Sequence, residues 1–237
     1  MMNEPTDILR FHDVTIAADR EDESGISSLN LSLALGDLTV VLWEEEEVRI
    51  PLADAAEGLV TPVRGMVTFL GEDWQTMAAD RVAAQRGKIG RVFEGESWLS
   101  DLDVDQNITL AQRHHTRRPI KEIQKQATQL CRVFGLAGLP GGRPSNARWQ
   151  DLQKAACVRA FLGAPILILL ENHTVGIYAD VIGPLINTVR EARERGAAVL
   201  WTMNELQVWS HPELHATGRC RMTGSQMHVM EEAKDAT

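Results

Sequence analysis

Cysteine is scarce in this 237-residue chain: Cys131, Cys157 and Cys220 stand far apart and are odd in number. No C-x-x-C pair occurs, so neither a disulfide framework nor a thiolate zinc site is indicated, and a reducing cytosol is the default compartment. Long apolar runs are missing too. The longest, APILILL at 164–170, is far shorter than the roughly 20 residues that cross a bilayer. The opening MMNEPTDILRF has no basic stretch followed by an apolar one, so no secretory leader is expected. Positive charge is in deficit: 24 Lys and Arg against 33 Asp and Glu give a net charge of −9. Such a chain is repelled by nucleic acid and by anionic lipid, which argues against either as its main partner. Internal repeats and low-complexity segments are absent as well. What remains is an ordinary soluble globular composition, 44% apolar and 24% charged, in a chain long enough to bury a real core.

The order of periodic segments is α/β. SSLNLSLAL (27–35) alternates apolar and polar residues at Leu29, Leu31, Leu33 and Leu35, and the chain turns at Gly36-Asp37 into the apolar run LTVVLW. This predicts a half-buried strand, a hairpin turn and a central strand. A short helical segment is expected before Gly58, then short strands within 58–73 and at KIGRVFE (88–94). From there the period changes. Asp103 followed by Gln106 has capping-box spacing. In IKEIQKQATQLCRVFGL, the residues Ile120, Ile123, Ala127, Leu130 and Phe134 share a helix face. A helix near 150–163 leads into APILILL, suited to a strand buried on both faces. A helix from 180 and a second buried strand, AAVLWTM (197–203), follow, and GRCRMTGSQMHVMEE forms a hairpin around Thr223-Gly224. Strand–helix–strand order of this kind implies parallel core strands.

Three phrases, in order and spacing, carry a resemblance over roughly residues 8–231. They are GDLTVVLW followed by AAEGLVTPVRGMVTFLGED, then IGRVFEGESWLSDLDVDQNITL, then AACVRAFLGAPILILLENHTVGI. The chain resembles the nucleotide-binding domain of ABC (ATP-binding cassette) transporters. That implies a P-loop NTPase-like ABC ATPase fold: a mostly parallel core sheet, an antiparallel β subdomain and a helical subdomain, here about 95–163. One such domain would fill 1–237, with a disordered tail at 232–237.

The functional letters of that family are replaced. A phosphate loop needs glycines whose N–H groups wrap the phosphates, a lysine, and a hydroxyl for Mg²⁺. Here the lysine position falls on Arg49, the hydroxyl positions on Ile50 and Pro51, and the glycine positions on Trp43, Glu46 and Val48. Proline offers no N–H. The run Glu44–Glu47 would face the phosphates; two like charges about 5 Å apart repel by roughly 3 kcal/mol at an effective dielectric of 20. The family's Q-loop glutamine aligns with Glu94 and its signature with Ala147-Arg148-Trp149-Gln150-Asp151. The Walker B aspartate aligns with Glu171, and the catalytic glutamate with Asn172, which cannot accept a proton at neutral pH. The aspartate of the next loop aligns with Tyr178, the switch histidine with Asn204, and no aromatic residue stands near Ala17-Ala18 to stack an adenine.

Other candidates read as structural. Glu45 and Arg49 have the spacing of a local ion pair. RHHTRR (113–118) reads as a solvated loop ahead of a metal or anion site, since neighbouring residues on a helix do not share a face. Cys157 reads as core packing. The segment 95–110 persists, and in the family this region with the Q-loop receives the membrane subunit; Trp98 and Leu99 would suit an apolar anchor there, and an inward-facing Trp98 is the equal alternative.

The resemblance therefore implies a pseudo-ATPase subunit without intact catalytic or nucleotide-binding residues and without a bound cofactor. Its partners would be a membrane permease, an intact ATPase paralogue or both, possible dimerisation included. It would sit peripherally on the cytoplasmic face of the membrane. Two alternatives stand beside this reading. One is a working ATPase that holds Mg-ATP weakly through Arg49 and Arg148. The other is a divalent-metal protein built on Glu44–Glu47 and Glu171, whose consecutive glutamates diverge.

Overall fold

An all-apolar run needs partners on both edges and both faces, whereas an alternating run needs only one buried face. The computed structural model, which describes residues 7–18, 25–43, 51–93, 95, 97–171 and 178–230, separates strands on that basis. The expected tail at 232–237 lies outside the described residues. Two units are formed, residues 1–77 with 198–237 and residues 78–197.

In the first unit, β1 (Leu9–Ile16) and β2 (Ile26–Leu33) pair antiparallel, Leu9 opposite Leu33. The apolar run is β3 (Leu38–Trp43), buried at all six positions. After α1 (Leu52–Ala56), β4 (Arg64–Phe69) pairs with β1 and the two-residue β5 (Glu72–Asp73) pairs with β4. The antiparallel order is thus β2-β1-β4-β5. The turn at Gly36-Asp37 does not close a hairpin, because β3 belongs to the other sheet. The Asp37 carboxylate accepts from the Ala34 N–H at 2.7 Å, and exposed Leu35 tops the turn instead of continuing the buried row. β1 carries a bulge between Phe11 and Val14, where Asp13 has φ 48°. Gly65 (φ +81°) lies so close that a Cβ would meet the Asp13 carbonyl at 2.3 Å, so only glycine fits opposite the bulge. Trp74 stacks on Phe69 and donates from Nε1 to the Ala56 carbonyl at 3.0 Å, fixing α1 against this sheet.

The second unit is mostly helical. It holds α2 (Ala79–Arg86), β6 (Ile89–Val92), α3 (Val104–His115), α4 (Ile120–Val133), α5 (Trp149–Phe161), β7 (Leu167–Glu171) and α6 (Tyr178–Glu194). β6 and β7 are parallel, Val92 opposite Leu170. α3 starts at Asp103, whose N–H donates to Gln106 Oε1 at 2.9 Å, as the capping-box spacing predicts. On α4 the buried stripe is Ile123, Ala127 and Cys131, continued by Phe134 beyond the helix; Ile120, expected on that stripe, is exposed at the helix start. Gly90 is a packing necessity: a Cβ there would lie 1.9 Å from the Ala160 carbonyl, so α5 can rest on β6 only because the side chain is missing.

The chain then returns to the first unit with β8 (Ala198–Met203), α7 (Leu206–Trp209), β9 (Gly218–Thr223) and β10 (Gln226–Met230). β3 lies between β8 and β9, parallel to both, and β9–β10 is the predicted hairpin. No helix among the described residues is long and apolar enough to cross a membrane.

Candidate functional site

Several aligned positions lie outside the described residues: Glu44–Glu47, Val48, Arg49, Ile50, Glu94 and Asn172, together with the Tyr178 side chain. The remaining ones fall in the two units.

In the first unit Trp43 ends β3 and is buried. Pro51 stands at the N-cap of α1 with φ −76°, and its carbonyl accepts the Ala55 N–H at 3.0 Å. No side chain caps this helix, which is only five residues long. An N-terminus of one and a half turns that opens on a proline has one amide donor fewer and a weak dipole. Asn204 follows β8 directly. Its Oδ1 is buried without a hydrogen-bond partner among the described residues.

In the second unit Glu171 closes β7 and is buried. Its carboxylate meets Arg91 of β6 in a two-pronged pair, Nε to Oε2 at 2.7 Å and Nη2 to Oε1 at 2.9 Å. Both side chains are almost fully enclosed, at 3% and 6% exposure. The Arg91 guanidinium also lies 4.4 Å over the Phe93 ring, a cation–π contact. Two flat groups meeting through two N–H···O bonds form the strongest kind of ion-pair geometry. Each oxygen of the carboxylate that would hold a metal through water in the family is thereby engaged by a protein cation. Mg²⁺ does not fit this carboxylate as it stands, because binding would have to displace the Arg91 guanidinium from both oxygens of a buried ion pair.

Arg91 is the residue that the sequence reading missed. Its signal was present: an arginine inside the apolar strand IGRV needs a buried carboxylate, and LILLE ends on one.

The positions aligned with the signature open α5. Arg148 is its N-cap and is exposed, with Nε 2.9 Å from Asp151 Oδ2. An exposed i,i+3 pair of this kind contributes only a few tenths of a kcal/mol, and Asp151 offsets the charge that Arg148 would offer a phosphate.

Trp98 and Leu99 sit on a loop held from beneath by two residues. Arg159 of α5 donates to the Ser97 carbonyl at 2.8 Å and to Ser97 Oγ at 2.6 Å, and its guanidinium lies 4.7 Å from the Trp98 ring centre. Burial lowers its pKa to about 10, so it stays cationic at neutral pH. Buried Asn107 of α3 accepts the Leu99 N–H at 2.9 Å and donates to the Leu99, Leu102 and Asp103 carbonyls at 3.1 Å. The backbone is clamped while the Leu99 side chain remains 52% exposed.

RHHTRR proves to be the last turn of α3 and an extended stretch beyond it, not a loop throughout. Thr116 Oγ1 donates to the Gln112 carbonyl, and Arg118 Nη1 to Gln112 Oε1 at 3.1 Å. Among the described residues no three His, Cys, Asp or Glu side chains gather as a metal cage requires.

No protein-family model matches the chain. It is 29% identical over 164 residues to the lipoprotein-releasing system ATP-binding protein LolD of Oleidesulfovibrio alaskensis, covering 68% of this chain and 71% of that one. It is 22% identical over 202 residues to the methionine import ATP-binding protein MetN of Caulobacter vibrioides, covering 85% of this chain and 60% of MetN. With the intermembrane phospholipid transport system ATP-binding protein MlaF of Escherichia coli it shares 23% identity over 164 residues, 69% of this chain and 61% of MlaF. The match thus spans less than two thirds of MetN and of MlaF. Among solved structures, the dimeric bacterial ABC transporter cassette MJ0796 superposes with a TM-score of 0.80 at 16% identity, covering 94% of this chain and 99% of that one. An ATP-binding subunit of an ABC transporter gives 0.77 at 16% identity, covering 94% and 90%.

Proposed function

We propose that this chain, a nucleotide-binding domain of the ABC transporter family, is a pseudo-ATPase subunit: it keeps the cassette fold as a structural or regulatory part of a transport system and does not turn over ATP. It works at the cytoplasmic face, bound to a membrane permease, an intact ATPase paralogue or both.

The observation that carries this reading is the buried Arg91–Glu171 pair. Freeing Glu171 for a metal would break a buried, two-pronged ion pair, which costs on the order of 3–5 kcal/mol. The sequence adds to this at positions the structure leaves undescribed. Glu44–Glu47 would oppose a triphosphate, and Asn172 provides no base. On the docking side, Leu99 is exposed on a loop that Asn107 and Arg159 hold rigid, which suits an apolar anchor that loses little entropy on binding.

A thermal-melt titration and a phosphate-release assay on the purified chain test the catalytic half. Millimolar Mg-ATP is expected to leave Tm unmoved, and turnover to stay at the no-protein background. A saturable rise in Tm that Arg49→Ala abolishes, or measurable hydrolysis, would replace this reading with that of a working, ATP-binding subunit. For the docking half, the tagged chain is drawn from detergent-solubilised membranes. Leu99→Asp should lose the co-purifying permease or ATPase while melting like the parent, and retention of the partner at parental yield refutes Leu99 as an anchor.

A further inference from the structure

The structure assigns a second site: a cleft of about 480 Å³ in the second unit, lined by Lys88, Arg118, Arg159 and His115 among others, that takes an organic phosphate.

Three features distinguish it from a chance gap. Among the described residues no carboxylate lines the cleft, in a chain whose net charge is −9. Its cations are positioned without being neutralised. Lys88 Nζ donates to Oε1 of buried Gln85 at 2.7 Å, and Arg118 Nη1 to Oε1 of buried Gln112 at 3.1 Å. An amide oxygen fixes direction and leaves the full charge in place, as an anion site requires, whereas a carboxylate would cancel it. The His115 ring packs on Gly87, where a Cβ would come within 2.7 Å of it, so the third basic group is also placed by the backbone.

Basic residues near the end of α3 complement the negative end of that helix, and this accounts for Arg113 and His114. It does not account for Lys88, which lies outside α3 and enters the cleft from the turn before β6. Three permanent cations, Lys88, Arg118 and Arg159, together with a histidine suit a phosphate carrying close to two charges, and an arginine fork binds two of its oxygens at once. The cleft is far larger than a phosphate group and its walls include Ile89, Leu162 and Pro165. The ligand therefore carries an apolar body, either as a free phosphate ester or as a lipid bearing a phosphate headgroup.

Among the described residues, the titratable groups that share the cleft with His115 are basic, Lys88, Arg118 and, from α5, Arg159, and His114 is its neighbour on its own helix. Partial burial and the neighbouring His114 hold its pKa below the usual 6.5. A bound phosphate reverses the sign of that environment, so His115 takes up its proton more readily when the cleft is filled.

Calorimetric titration of the full chain with phenyl phosphate tests the site, and flotation with phosphatidic acid vesicles against pure phosphatidylcholine vesicles separates the two sources. Saturable binding of phenyl phosphate, or selective flotation with phosphatidic acid, is expected, weakened by about tenfold or more in Lys88→Met and retained in Lys88→Arg. An NMR titration of His115 in the unmutated protein, with the ligand present and absent, keeps the test independent of variant folding: its pKa should rise. Neither ligand binding, equal affinity in Lys88→Met, or a His115 pKa indifferent to phenyl phosphate overturns the assignment. None of these results bears on whether Mg-ATP is bound.

Discussion

At the scale of single residues, Arg91 and Glu171 set the character of the site. Each is a charge withdrawn from water, and each is compensated by the other. Arg91→Met alone should destabilise the protein by about 3–5 kcal/mol, because the Glu171 carboxylate is left buried without its partner. Arg91→Met with Glu171→Leu should recover most of that loss, since an apolar pair of similar volume carries no desolvation cost. Urea unfolding of the two single variants and the double variant measures the coupling directly. If the single and double variants are equally unstable, the pair does not act as the unit described here. Asn107 and Arg159 work similarly at one remove from the surface, spending their donors on backbone carbonyls so that an exposed leucine is held still.

At the scale of elements, the contact of α5 with β6 is set by an absence. Gly90 admits the Ala160 carbonyl where any other side chain would stand. Gly90→Ala should therefore force α5 outward and cost about 3 kcal/mol, more than the usual strand gain from replacing glycine. A chemical melt that shows Gly90→Ala to be neutral or stabilising would contradict the packing. Several elements were legible beforehand. β3, β7 and β8 are predominantly apolar, and α3 and α4 announced themselves by a capping box and a 3.6-residue stripe. Others were not, for definable reasons. The bulge at Phe11–Val14 throws β1 out of its two-residue rhythm, so no strand was read there. α2 buries only Gln85 and so has no apolar stripe to detect. The turn before β3 resembled a hairpin because local sequence does not record which sheet a strand joins.

At the scale of the whole molecule, the three cysteines are free and buried, in α4, α5 and β9, and so are spread over both units. Burial raises their pKa values from the ordinary 9.0 to about 11 for Cys131 and Cys220 and about 12 for Cys157. A thiol protonated in the folded state but ionised once unfolded binds more protons folded. Its contribution is complete below pH 9 and is lost as pH rises toward 11–12. Each such cysteine removes about 1.4 kcal/mol per pH unit in that window. Thermal melts should be level with respect to these groups up to pH 8.5 or so and then fall steeply. Cysteine-to-alanine or cysteine-to-serine replacement should flatten the fall, and an unchanged alkaline slope would refute the attribution. A thiol reagent at neutral pH should modify the chain only as fast as it unfolds.

The sequence by itself determined most of the order of helices and strands, the family likeness and which residues stand at the positions aligned with the phosphate loop, the signature and the catalytic glutamate, because periodicity and residue chemistry are local properties. It also determined that Glu171 closes a buried strand. Only the tertiary structure decided what that carboxylate meets, since Arg91 lies 80 positions away in the chain and is brought to it by the parallel pairing of β6 and β7. The same holds for the cleft beside His115: Lys88 and Arg118 become neighbours of one cavity only when β6, α3 and α5 pack together, and no spacing along the chain encodes that.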